Sequence, residues 1–87
     1  MSNTINRTDL IQQYIEQNPH KTGAAEARLV ESGISVWALI GYYEAVGRDA
    51  ATVAHDYHIP IEAVQAALAY YEAHPVEIAV RLAENAA

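Results

Sequence analysis

Histidines are the most chemically versatile side chains in this sequence, and His55 and His58 are spaced as in the zinc-binding pattern H-x-x-H. Residues three apart on one helix share a face, where two imidazoles can hold one metal ion. Ile59-Pro60 follows directly, however, and a helix break at His58 separates the two rings. A zinc site also needs further ligands, and the chain contains no cysteine. We therefore expect surface or half-buried histidines, with no metal and no cofactor.

Catalytic patterns are weak throughout the chain. The serines have no histidine or carboxylate at a recognisable spacing, and no glycine-rich phosphate loop follows a predicted strand. The carboxylates are numerous but spread along predicted helices, which is typical of a solvated face. We expect that this chain is not an enzyme.

Recognition of DNA is indicated by shape rather than by charge. Residues 53–75, VAHDYHIPIEAVQAALAYYEAHP, predict a short helix, a tight break at His58-Ile59-Pro60 and a longer helix, the order found in a helix-turn-helix. The second helix is expected to bury Ile61, Val64, Leu68 and Tyr71 and to expose Glu62, Gln65, Ala66, Ala69 and Glu72. Gln65 has the chemistry to read adenine, but no arginine lies on this helix to read guanine.

Basic residues are few and lie outside these two helices. The net charge is −6, whereas non-specific DNA affinity depends on lysines and arginines that displace counterions at phosphates. The candidate DNA contacts are Arg28, Arg48 and Gln65, with Arg48 the best placed for a phosphate. The acidic balance favours a basic protein partner over nucleic acid.

A mainly helical scaffold is predicted to position these residues. Thr8 is the expected cap of the first helix and Asp49 that of the third. Asn18-Pro19 ends the first helix, and Gly47 ends the second. The predicted helices are 9–17, 36–46, 50–57, 61–73 and 76–87.

The segment 27–36, ARLVESGISV, differs in composition from the predicted helices. β-Branched residues on both sides of Glu31-Ser32-Gly33 predict a small β-hairpin, which must pack on helices or pair with another chain to be stable. The alternative is an extended lead-in to the next helix.

Aromatic residues indicate a surface for protein contact. Tyrosines occur in adjacent pairs, and we expect Tyr43 and Tyr71 in the core with Tyr42 and Tyr70 near the surface. Exposed aromatics favour an interface, and core filling is the alternative. The candidate residues for a dimer or partner interface are Leu29, Ile34, Trp37, Tyr42, Tyr70, Ile78 and Leu82.

The chain of 87 residues suits one small domain. The predicted class is mainly α, with a tri-helical helix-turn-helix core, a short β-hairpin before it and flanking N- and C-terminal helices. Residues 1–25 form an N-terminal helix and linker, 26–75 the hairpin and core, and 76–87 a C-terminal helix or tail. No apolar run is long enough to span a membrane, and the polar start MSNTINRTD is unlike a signal peptide, so a cytoplasmic location is expected.

A family resemblance rests on residues 27–78. The Arg-containing strand, the Gly turn, the I-x-V entry into a helix and the segment EAVQAALAYY resemble the DUF433 family of domains of unknown function. The resemblance implies a homeodomain-like helix-turn-helix that is often a dimer. It also implies an antitoxin that blocks a PIN-like ribonuclease toxin and, with it, represses its own operon.

Three functions therefore stand as hypotheses. The first is the antitoxin of a type II toxin-antitoxin system, with a PIN-like ribonuclease as partner, a homodimer as the functional unit and operator DNA as a further ligand. The second is a DNA-binding transcriptional regulator that acts alone. The third is a non-catalytic interaction module of unknown partner.

Overall fold

Five helices and one short strand pair make up the fold. The computed structural model describes residues 6–86. Two strands and a 3-10 turn at Ala24–Glu26 lie between the first and second helices. In chain order the elements are α1 (Arg7–Tyr14), β1 (Ile15–Glu16), β2 (Arg28–Leu29), α2 (Val36–Ala45), α3 (Ala50–Tyr57), α4 (Ile61–Ala73) and α5 (Pro75–Ala86).

Helix α1 begins and ends earlier than its sequence pattern predicts. The side chain of Asn6 accepts a hydrogen bond from the backbone N–H of Thr8 at 2.7 Å, so Asn6 is the cap and the prediction of Thr8 is wrong. The helix stops at Tyr14 because Ile15 and Glu16 leave it to form β1. Local helix propensity cannot anticipate this, since the partner strand lies more than ten residues away.

The expected short β element is confirmed, but β2 pairs with β1 and not mainly with the residues after the Gly33 turn. Arg28 and Leu29 pair antiparallel with Glu16 and Ile15. The predicted reversal is also present: the N–H of Leu29 donates to the carbonyl of Ile34 at 2.8 Å. Gly33 has a φ of 74°, a backbone conformation that favours glycine, which is why the chain turns there. The arm after the turn contributes only a single bridge, between Arg28 and Ser35.

Helices α2, α3 and α4 form the predicted tri-helical helix-turn-helix. The bounds of α3 and α4 agree with the prediction. Asp49 caps α3 by accepting from the backbone N–H groups of Ala51 and Thr52. His58 ends α3 with a φ of 56°, and Pro60 immediately precedes α4. The H-I-P break is thus a left-handed residue followed by a proline.

Helix α4 lies at the centre of the molecule and packs against α1, α2 and α3. Its buried residues are Ala63, Val64, Ala66, Ala67, Ala69 and Tyr70. The expectation that Ile61 is buried is wrong, since it is 39 % exposed, and Ala66 and Ala69 are buried although they were expected outside. The burial of Ala69 is explained by α1: Leu10 lies beside Leu68 and Ala69, on the side that a bare tri-helical core would leave open.

Helix α5 packs on α2, where Leu82 lies against Gly41. Ile78 is fully buried, and a Cβ atom added at Gly41 would lie 3.1 Å from Leu82 Cδ2, so the absence of a side chain at Gly41 lets α5 approach closely. The predicted C-terminal helix is confirmed up to Ala86, while Ala87 lies outside the described residues. Within residues 6–86, no helix is both long and apolar enough to cross a membrane.

Candidate functional site

Arg28, a predicted DNA contact, is engaged within the chain. Its Nε donates to Oε2 of Glu16 at 2.7 Å, across the paired strands β1 and β2. The two side chains are about one third exposed, at 28 % and 35 %. Opposite charges on directly facing strand residues attract each other. The guanidinium is therefore neutralised locally, and it stabilises the strand pair.

The other three arginines also form ion pairs with glutamates. Arg48, the predicted phosphate contact, lies 3.3 Å from Glu44 and remains largely exposed. Arg7 on α1 pairs with Glu72 on α4. Arg81 donates to Glu26 at 3.2 Å, and its guanidinium lies 4.4 Å from the ring centre of Trp37.

Gln65, the predicted base-reading residue, is exposed but stands beside another helix. It shares a shallow depression with Arg7 and Leu10 of α1 and with Glu72 of α4. A recognition helix must enter the major groove with its outer face free. In this structure α1 occupies part of that face, and the three predicted DNA contacts do not form one basic surface.

Three of the predicted interface residues lie in the core. Leu29 and Ile78 are buried, and Tyr70, which was expected near the surface, is 3 % exposed. The Tyr70 hydroxyl donates to the carbonyl of Ala24 at 2.6 Å, and burial raises the pKa of this phenol. The inward tyrosine of the pair is therefore Tyr70, while Tyr71 is half-buried, because the 3-10 turn at Ala24 packs on the Tyr70 side.

The remaining predicted interface residues, Ile34, Trp37, Tyr42 and Leu82, are half-buried. The Tyr42 hydroxyl donates to Asp56 and so links α2 to α3. This hydrogen bond raises the pKa of Tyr42 and lowers that of Asp56. Its ring also lies 5.2 Å from that of Tyr57. Tyr42 therefore supports the helix-turn-helix as well as presenting an edge to solvent.

His55, His58 and His74 occupy three separate environments. His55 lies 3.2 Å from Asp56 in solvent, His58 ends α3, and the His74 ring lies 4.5 Å from that of Tyr70. In the described part of the chain, no group of three or more histidines and carboxylates is placed to hold a metal ion.

A groove that the sequence did not predict runs between two turns: the one after β2 (residues 30–32) and the one between α3 and α4 (residues 58–60). Its volume is about 580 Å³. One wall is formed by Val30 and Glu31 after β2, and the other by His58 and Pro60 between α3 and α4, with Tyr14 and Ala63 beneath. The lining residues come from three separate stretches of the chain, 13–14, 29–32 and 58–63. Only the turn signals E-S-G and H-I-P point to it in the sequence.

A second exposed apolar feature lies on the outer side of α5. Val76 and Val80, four residues apart on one helix face, are 69 % and 51 % exposed. Of the predicted partner contacts on this helix, Ile78 is fully buried instead, and Leu82 lies against Gly41 of α2. Helical spacing places Val76 and Val80 on the outer face once the buried side of α5 is known.

Comparison with known proteins gives one match. The family model described as "Protein of unknown function (DUF433)" matches residues 15–71, from β1 into the last turns of α4 and thus more than half of the chain. No curated protein and no solved structure matches. The match includes both turns that wall the groove and leaves out α1 and α5. The chain therefore belongs to the DUF433 family.

Proposed function

We propose that this protein is an antitoxin that binds a basic ribonuclease toxin and neutralises it. The PIN-like class of that toxin is what the family resemblance implies. The observation that carries the proposal is that all four arginines form ion pairs with glutamates of the same chain.

The charged groups that take no part in these four ion pairs are mostly negative. Four of the eleven acidic residues pair with arginines, so seven carboxylates and Lys21 account for the net charge of −6. Carboxylates repel a polyanion, and binding to phosphates depends on available lysines and arginines. A basic protein surface is the complementary partner.

The position of α1 also favours a protein partner. The DNA-regulator alternative needs the outer face of α4, where Gln65 lies, but α1 and its Arg7–Glu72 ion pair stand beside that face. A protein partner does not need the outer face of α4 to be free, because it can contact α1, α5 or either turn. The geometry therefore supports the antitoxin and the interaction module better than the lone regulator.

The proposed mechanism is occlusion. A ribonuclease binds RNA phosphates on a basic surface, and an acidic protein seated there excludes the RNA. Complementary charge accelerates the encounter, and the effect weakens as salt is raised. The antitoxin contributes no catalytic group in this scheme.

Co-expression with the product of the neighbouring small reading frame, expected to be a ribonuclease, tests the proposal. We expect the chain to restore growth, to co-purify with the ribonuclease and to stop RNA cleavage by the purified enzyme. A variant with Glu31 and Glu62 changed to lysine should bind more weakly, provided that circular dichroism shows an unchanged fold. A matched variant with Gln12 and Gln65 changed to asparagine keeps the charge and serves as the control.

A DNA titration separates the antitoxin from the lone regulator. Fluorescence anisotropy with DNA from upstream of the gene should show weak binding by the chain alone at about 150 mM salt. Tight, sequence-selective binding by the unaccompanied chain would contradict the proposal. Failure to rescue growth or to bind the ribonuclease would leave the interaction module as the better description.

A further inference from the structure

The groove between the two turns combines an apolar floor with one charged group. Val30 on one wall is 43 % exposed although it is a large hydrophobic residue, and Ile59 and Pro60 form the opposite wall. Exposed apolar surface inside a concave site is what a bound side chain would cover. The groove is therefore more than a gap between packed elements.

The charge in the groove is negative. Glu31 is the only acidic residue that lines it, and among the described residues no lysine or arginine does so. Glu31 is exposed, and none of the arginine ion pairs involves it. A ligand with a positive charge at the end of an aliphatic stem matches both features, since lysine and arginine side chains pack their stems on apolar surface and keep the charged end in water.

We propose that this groove binds an extended, cationic segment of the partner protein, with the stem of an arginine or lysine against Val30 and Pro60 and its charged end at Glu31. The inference rests on the proposed function in that the partner is taken to be basic. It adds the location and the chemistry of the contact.

Other occupants fit less well. A volume of about 580 Å³ is in the range of pockets that hold small ligands, so the groove accepts side chains of a segment rather than a whole helix. A nucleic acid would bring phosphates to a carboxylate. A second copy of this chain offers little complementary charge, since its four arginines are already paired with glutamates.

A peptide titration tests the proposal without any ribonuclease. The probe is the acetylated, amidated peptide Leu-Arg-Val-Arg-Leu, added to the ¹⁵N-labelled chain and followed by NMR, and its counterpart has glutamate at both arginine positions. We expect saturable shifts at the amides of Val30, Ile59 and Ala63 with the basic peptide only. Glu31→Gln should weaken binding by about three- to fivefold, as for one partly exposed ion pair. Val30→Ser should weaken it by about fivefold, because it removes buried apolar contact.

The control is Glu84→Gln, which removes the same charge from α5, away from the groove. The proposal is overturned if the shifts centre on α5, if the acidic peptide binds as well as the basic one, or if the Glu31 and Glu84 variants weaken binding equally. Absence of saturable binding at millimolar peptide also overturns it. If the peptide binds as expected but the chain neutralises no ribonuclease, the groove assignment stands and the antitoxin proposal fails. If Glu31→Gln neutralises the ribonuclease as well as the unaltered chain does, the antitoxin proposal stands and the groove assignment fails.

Discussion

Glu16 and Arg28 face each other across the strand pair, with 2.7 Å between Oε2 of the glutamate and Nε of the arginine. Because Glu16 neutralises this guanidinium locally, Arg28 is a weak phosphate ligand, and the residue that was predicted to contact DNA helps to hold the strand pair. The pair also holds the end of α1 to the segment that enters the helix-turn-helix.

The coupling between these two residues is the first prediction. Arg28→Met and Glu16→Gln should each lower the free energy of unfolding, and a double-mutant cycle should give a coupling of about 0.5–1 kcal/mol, because the pair is only about one third exposed. Urea denaturation measures it. The Arg48–Glu44 pair, which is more exposed, is the control and should give a smaller coupling. Equal values for the two pairs would mean that partial burial contributes nothing.

The attachment of α1 to α4 is the second prediction. Leu10→Ala should lower the free energy of unfolding by about 2 kcal/mol, because it empties a buried position between the two helices. Gln12→Ala, at an exposed position of the same helix, should change stability by no more than about 0.5 kcal/mol. Hydrogen exchange should show the α1 amides protected together with those of α4. Rapid exchange throughout α1 in the unaltered protein would show that it does not cover α4 stably.

The third prediction concerns the Tyr70 hydroxyl. Tyr70→Phe removes its hydrogen bond to the carbonyl of Ala24 and should cost about 1 kcal/mol at neutral pH. Tyr71→Phe is the matched control on the adjacent, half-buried residue and should cost less. Thermal or urea unfolding of the two variants makes the comparison.

Tyr70 also predicts a dependence on alkaline pH. Burial raises its folded-state pKa, so its contribution is complete below the unfolded pKa of about 10 and is lost as the pH rises through the folded value. The stability difference between the unaltered chain and Tyr70→Phe should therefore shrink above pH 10. A difference that grows there would contradict the direction of the pKa shift.

The cap of α3 provides the fourth prediction, at acid pH. Hydrogen bonds from Thr52 and the backbone lower the pKa of Asp49, so its stabilising effect is present above the unfolded pKa of about 4 and is lost as the pH falls through the folded value. Asp49→Ala should lower the melting temperature at pH 7, and the difference should narrow as the pH falls well below 4. Asp49→Asn, which keeps a capping oxygen, should be milder at pH 7 and should flatten the pH dependence.

Local signals in the sequence predicted a large part of the fold. The bounds of α3 and α4, the break at His58-Ile59-Pro60 and the cap at Asp49 all depend on residues within one or two turns of each other. The family was also recognisable, because EAVQAALAYY and the Gly turn before α2 are contiguous patterns. Function is less accessible, since no single residue type in this chain points to one chemistry.

Long-range packing decided the rest. Helical periodicity allows either Tyr70 or Tyr71 to face inward, and the choice depends on the Ala24 turn, which lies 46 residues from Tyr70. The pairing of Ile15–Glu16 with Arg28–Leu29, the glutamate partners of Arg28 and Arg81, and the groove between the two turns likewise join segments far apart in the chain. The sequence by itself determined where the helices begin and break, because those preferences are local. Only the tertiary structure decided which faces are covered and which charges are paired within the chain, because those depend on which distant segments meet.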